Sequence, residues 1–302
     1  MDSASLALLE LARQLERAGY HFVTPTPETQ RRVVARRAQA RSLRDVFGWS
    51  LRFERGLLPD ALFELASRAG VLQREGEHWR ASVRFSALQR SLYVHSAYPT
   101  DASDAVFFGP DTYRFCSWLR RVAPPASALV DIGCGSGAGG LCAAEASGAT
   151  RVVLADINEQ ALAFAAVNAA LAERTVELAH SDLLRDVAGA FSLIVANPPY
   201  MRDPAARLYR DGGGAFGEQL SLRIVRESLA RLGPGGTLLL YTGSAIVDGK
   251  DPLYEALAEL LCDLEHHYEE LDPDVFGEEL ERPGYERVER IAAVALSVRT
   301  RA

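Results

Sequence analysis

The chain has 302 residues, of which 48% are hydrophobic and 24% charged, with 24 Gly and 14 Pro; this excludes a disordered, collagen-like or low-complexity protein and leaves one large domain or two of ordinary size. The net charge of −7 is unevenly spread, with 15 Arg against 10 acidic residues in residues 1–100 and 18 basic against 30 acidic residues in 101–302. Such asymmetry implies two parts with different partners, the basic one suited to an anion such as RNA.

In chain order, Ser3 is placed to cap a helix running through Leu6, Leu8, Leu9, Leu11, Ala12 and Leu15, with Gly19 as its stop. A second helix is expected from Thr26-Pro27-Glu28, carrying Arg31, Arg32, Arg36, Arg37, Arg41 and Arg44, read as a solvated face. Leu58 to Ala66 reads as an amphipathic helix ended by Gly70, and Val71 to Phe85 as two strands around Glu75-Gly76-Glu77. Helix, helix, hairpin resembles a winged helix, a module that binds nucleic acid or packs against a partner domain. Tyr98 to Ala105 has the Pro, Asp and Ser content of a connector. The expected division is therefore a helical, winged-helix-like substrate-recognition domain over residues 1–97 and a larger domain over 98–302.

Beyond the connector, strands and helices alternate. Strands are expected at Ala128–Ile132, Arg151–Ala155, Val176–Ala179, Leu193–Ala196, Thr237–Tyr241 and Ile291–Val298, with helices near 139–147, 158–171, 218–231 and 253–261. This pattern specifies an α/β fold with a doubly wound, mainly parallel sheet of about seven strands, the last antiparallel. The acidic stretch Glu269 to Glu281 reads as a solvated loop.

Val130-Asp131-Ile132-Gly133-Cys134-Gly135-Ser136-Gly137-Ala138-Gly139-Gly140 is a strand entering a glycine-rich turn and then a helix. Such a turn lets backbone approach a ligand and offers free N–H groups. Gly135-x-Gly137-x-x-Gly140 fits a dinucleotide site, and Asp156, 21 residues beyond Gly135, suits ribose hydroxyls with either kind of cofactor. Asp131 at the strand tip tilts the balance, because a carboxylate repels a pyrophosphate and attracts a ligand bearing an ammonium and a sulfonium. On Asp131, Gly133, Gly135, Gly137 and Asp156 the chain resembles the class I S-adenosylmethionine-dependent methyltransferases. The resemblance implies a seven-stranded Rossmann-like sheet and S-adenosylmethionine as cofactor. It implies further that Gly133, Cys134 and their neighbours line the methionine end, that Asp156 and Ile157 hold the ribose side, and that Asp182 meets the adenine amino group.

Asn197-Pro198-Pro199-Tyr200 follows the apolar strand Leu193–Ala196 and so sits at the carboxyl edge of the sheet, where open α/β folds bind ligands. An amide or aromatic amine nitrogen is a poor nucleophile because its lone pair is delocalised, so a site must orient it. The Asn197 side-chain oxygen and the Pro198 carbonyl can each accept one N–H of an –NH2 group, Pro199 stiffens the loop, and Tyr200 offers a face for a planar group. The motif resembles that of methyltransferases acting on planar nitrogens, namely the release-factor glutamine N5-methyltransferases and the adenine-N6 and guanine-N2 enzymes. By that resemblance Phe108, Pro110 and Thr112, in Phe107-Phe108-Gly109-Pro110-Asp111-Thr112, close over the cofactor, and Gly213, in Arg210 to Gly217, borders the substrate channel; Gly109 and Asp111 depart from the usual Pro-Arg-Pro-Glu-Thr. The implied activity is methyl transfer to a protein glutamine, with a nucleobase amino group in RNA or DNA as the alternative. A dinucleotide-dependent oxidoreductase or a non-catalytic cofactor-binding module are readings from other classes.

The four cysteines, Cys116, Cys134, Cys142 and Cys262, show no C-x-x-C pair or zinc-finger spacing, and the six histidines are scattered. Reduced thiols, no metal and a cytoplasmic location are therefore expected. The apolar stretch Ala161–Ala172 is interrupted by Asn168 and falls short of the roughly 20 residues a bilayer requires. The first residues lack a positive charge ahead of their apolar run, so neither a secretory signal nor membrane contact is expected.

Overall fold

A computed structural model describes residues 1–203 and 207–301. Four helices lead: α1 (Ser3–Arg17), α2 (Pro27–Val34), α3 (Leu43–Phe47) and α4 (Asp60–Arg68). Two antiparallel hairpins follow, β1 (Leu72–Glu75) with β2 (His78–Ala81) and β3 (Val83–Leu88) with β4 (Ser91–Ser96). The α1 cap is Asp2, not Ser3: its carboxylate accepts the Ser5 N–H at 2.8 Å, while Ser3 is already helical. The arginine-bearing stretch is not one helix. It ends at Val34 and restarts at Leu43, where Ser42 accepts the Asp45 N–H in a new cap. The structure adds a second hairpin: β3 begins inside the stretch read as the second strand and is buried along its whole length, its polar residues Arg84 and Ser86 included.

The remaining elements are α5 (Pro110–Val122), β5 (Ala128–Ile132), α6 (Ala138–Ser147), β6 (Arg151–Asp156), α7 (Glu159–Leu171), β7 (Glu177–His180), β8 (Phe191–Ala196), α8 (Gln219–Leu229), β9 (Leu232–Val247), α9 (Pro252–Leu261), β10 (Glu265–Asp272) and β11 (Val288–Arg299). Seven strands form a mixed α/β sheet in the order β10-β11-β9-β8-β5-β6-β7. The five from β7 to β9 are parallel, and β11 runs antiparallel to both β9 and β10. The expected acidic loop is in part the edge strand β10. Three of its acids are paired: Glu269 accepts from the Trp118 indole at 3.2 Å, Glu270 meets Arg290 at 2.7 Å and Asp272 meets Arg114 at 2.7 Å. Charged residues on an edge strand blunt its tendency to recruit another strand, so composition alone misreads it as loop.

The sheet buries Leu129, Leu193, Val195, Leu239 and Ala293 on one face and Val130, Ile194, Leu238 and Val294 on the other. A third cluster, built on α1, α3, α4 and the first hairpins, takes in Ala161, Phe164 and Val167 of α7. Asn168 ties the same helix further, accepting the Val94 N–H at 2.8 Å and donating to the Val94 and Ser136 carbonyls at 3.0 and 2.8 Å.

Candidate active site

Successive parallel strands leave β5 in opposite directions, toward β6 and toward β8, and a crevice opens between their connections. Register brings the ends level: Ile132 stands beside Ala155 on one side and Ala196 on the other. The next residues, Gly133, Asp156 and Asn197, therefore emerge at one edge of the sheet. They share a cavity of about 370 Å³.

Gly133, Gly135 and Gly137 take φ of +67°, +53° and +78°, the left-handed region that side chains disfavour. The turn is pinned to β6, since the Gly133 and Cys134 N–H groups donate to the Ala155 carbonyl at 2.9 and 3.0 Å and the Gly135 N–H to Asp156 Oδ2 at 2.8 Å. Asp156 Oδ1 accepts the Asn158 N–H at 2.9 Å. Asp131 is buried and accepts the Gly140 N–H at 2.7 Å. Burial pushes its carboxyl up to about 8, the Gly140 hydrogen bond works the other way, and the nearby Asp156 adds to the rise. Burial also raises Asp156.

Of the residues singled out from sequence, Asp131, Gly133, Cys134, Gly135, Asp156, Ile157, Asp182, Thr112 and all four of Asn197 to Tyr200 line the cavity. Gly137, Phe108, Pro110 and Gly213 do not. Gly137 sits against Leu154 and Ala165 as the cap of α6. Phe108 stacks on His95 at 4.9 Å inside a core cluster, so it is not a lid side chain. Pro110 opens α5, and Gly213 faces Gln219. Asp182 is half exposed, with both oxygens 3.2 Å from the Arg223 guanidinium.

The Asn197 side chain has no hydrogen-bond partner among the described residues, whereas Tyr200 is anchored. The Tyr200 hydroxyl donates to Asp111, which is buried at the start of α5 and also accepts from Tyr241 at 3.0 Å and Arg114 at 3.2 Å. The Tyr200 ring packs near Phe276 and against Gly243. The segment Arg210 to Gly217 runs beside this loop: the Met201 N–H donates to the Arg210 carbonyl at 3.1 Å and the Gly212 N–H to the Met201 carbonyl at 2.8 Å. At Gly217 a Cβ would stand 2.1 Å from the Tyr200 carbonyl oxygen, so only glycine fits. Arg210, from the glycine-rich segment, also lines the cavity, as do Arg207, Tyr209 and Phe276, which carry no local signature; Pro204 to Ala206 lie outside the described residues. Arg207 is paired to Asp203 at 2.7 Å and Arg210 to Glu279. Among the described residues no group of His, Cys, Asp or Glu could hold a metal, and no helix is long and apolar enough to cross a membrane.

Residues 117–259 match the family model described as Methyltransferase small domain. The release factor glutamine methyltransferase of Deinococcus radiodurans is 36% identical over 135 residues, 40% of this chain and 47% of that protein. That of Koribacter versatilis is 32% identical over 165 residues, 50% of this chain and 58% of that protein. The chain thus spans about half the length of these relatives. Among solved structures, Trm5b from Pyrococcus abyssi aligns with a TM-score of 0.51 over 81% of this chain and 72% of its own, at 14% identity. SMU.776, named as a methyltransferase and complexed with SAH, aligns at 0.50 over 79% of this chain and 65% of its own, at 12% identity; both are likenesses of fold. The sheet order and the match over residues 117–259, just under half of the chain, give this region the fold seen in methyltransferase domains.

Proposed function

We propose that the protein methylates a planar –NH2 nitrogen, and that the acceptor is a glutamine side chain of another protein. The observation that carries this reading is that Asn197 and Pro198, with no other task for the Asn197 amide among the described residues, share one cavity with the glycine turn and Asp156. The cavity suits a phosphate-free cationic cofactor. Asp131 and Asp156 line it, and its arginines, Arg207 and Arg210, are already paired to carboxylates.

When bound, S-adenosylmethionine supplies an electrophilic methyl group on a sulfonium centre. Asp131 and the backbone of Gly133 and Cys134 would hold its amino-acid end. Asp156 keeps a free lone pair on each oxygen that would serve ribose hydroxyls, and Ile157 and Asp182 would border the adenine. Asn197 Oδ1 and the Pro198 carbonyl would accept the two N–H groups of the acceptor and so fix its amide plane. Orientation of this kind supplies effective molarities of roughly 10⁵ to 10⁸ M without a covalent intermediate. Tyr200, held by Asp111, keeps the loop in that pose. Glutamine is favoured because relatives matched over this region are named release factor glutamine methyltransferases. Residues 1–97 would present that substrate.

The test is transfer of labelled methyl from cofactor to a cell extract. Protease-sensitive, nuclease-resistant label on a glutamine is expected; label destroyed by nuclease replaces glutamine by a nucleobase, and no transfer to any fraction reduces the domain to a binding module. Asn197→Ala is expected to lower turnover by about 10²-fold or more with cofactor affinity unchanged.

A further inference from the structure

We propose that the α2–α3 connection and Trp49 form a binding site for the phosphodiester backbone of a nucleic acid. This inference stands apart from the methyl-transfer reading. Residues 28–52 carry seven Arg against Glu28 and Asp45, while the rest of the first hundred residues hold equal numbers of basic and acidic side chains. All of that region's positive excess thus lies in one stretch. The break between α2 and α3 folds the stretch around a cavity of about 620 Å³, lined by Arg36, Arg37, Arg41, Arg44 and Trp49.

The four guanidinium-bearing residues are exposed. Only Arg37 has a carboxylate partner among the described residues, Asp45 at 2.6 Å, and it also lies 5.3 Å from the centre of the Trp49 ring. Arg44 stands 5.8 Å from the Phe22 ring, and Arg36 and Arg41 have no ion pair among the described residues. The floor is rigid. Gln30 donates to the Trp49 carbonyl at 2.8 Å, and the buried Arg84 donates to the Gly48 carbonyl at 2.7 Å and to Gln30 at 2.5 Å. Free planar forks match phosphate oxygens in pairs, and a half-buried indole beside them gives a base a surface on which to stack. An acidic peptide would use the charges and leave the indole idle. The acidic remainder of the chain repels a polyanion, so this face alone would receive it.

The experiment is fluorescence anisotropy of the full chain with labelled 20-nucleotide single-stranded RNA, the DNA equivalent, and a polyglutamate peptide, from 50 to 200 mM salt. Binding of a nucleic acid is expected, with affinity falling steeply as salt rises, the RNA and DNA arms telling which sugar is preferred. Arg36→Gln with Arg41→Gln should weaken binding about tenfold and lower the salt slope by roughly 1.4, about 0.7 per lost phosphate contact. Arg68→Gln with Arg90→Gln, an equal charge change at exposed positions elsewhere, should leave it within twofold. Equal loss in both pairs, no loss in the first, no binding to either nucleic acid at 50 mM salt, or polyglutamate binding as tightly would each overturn the proposal.

Discussion

Asp131 lies where strand, turn and cavity meet, and its chemistry follows from burial. A carboxyl that titrates at about 8 when the cavity holds no ligand is mostly protonated at neutral pH. Because the folded value is raised, the stability Asp131 contributes is full below its ordinary value of 3.8 and is lost as pH rises through about 8. A bound ammonium or sulfonium reverses the preference by favouring the carboxylate. Cofactor binding at pH 7 should therefore release about one proton, and affinity should fall up to about tenfold per unit as pH drops below about 8. Calorimetry in buffers of different ionisation enthalpy measures the proton; Asp131→Asn should abolish both effects. Binding that remains proton-neutral would mean that Asp131 keeps its proton and supports the turn only through Gly140. Asp111 departs from the Pro-Arg-Pro-Glu-Thr pattern, yet its carboxylate gathers Tyr200, Tyr241 and Arg114 and so joins α5 to the loop that carries Asn197.

Helix α7 links the two halves of the molecule. A helix exposed on one side alternates apolar and polar faces, but α7 buries residues toward two cores, with Ala165 in the sheet cluster and Ala161, Phe164 and Val167 in the N-terminal one. Asn168, which reads in sequence as an interruption of an apolar run, is the polar group both sides need. Its amide satisfies both backbone groups of Val94 and the carbonyl of Ser136 in the glycine turn. Asn168→Leu would orphan three buried backbone groups at roughly 1–3 kcal/mol each before relaxation, and a net loss of about 3 kcal/mol is expected in urea unfolding. A loss under about 1 kcal/mol would mean that water or a shifted β4 replaces the amide.

At the scale of the whole molecule, the shared core predicts that residues 98–302 expressed alone will be impaired. Phe164 and Val167 would face solvent and Asn168 would lose Val94, so a melting temperature lowered by more than about 5 °C, or association on size-exclusion, is expected. A monomer melting with the full chain would contradict it. The sequence by itself determined the mainly parallel sheet, the glycine turn and the Asn197 loop, because these depend on local periods and on residue types at fixed offsets along one strand-turn-helix path. It also located Gly70 at the end of α4, where φ of +70° favours a residue without a side chain. It misjudged β10, whose Glu269, Glu270 and Asp272 are paired to α5 and to β11, and the division of the arginine stretch, which rests on the Ser42 cap. Only the tertiary structure decided that Asp111 holds Tyr200, that Phe108 turns into the core, and that Arg207, Tyr209 and Phe276 reach the cavity. Those contacts join distant segments, 89 residues apart for Asp111 and Tyr200 and 130 for Asp111 and Tyr241, and a buried carboxylate's partners are chosen by which elements pack side by side, information no local window contains.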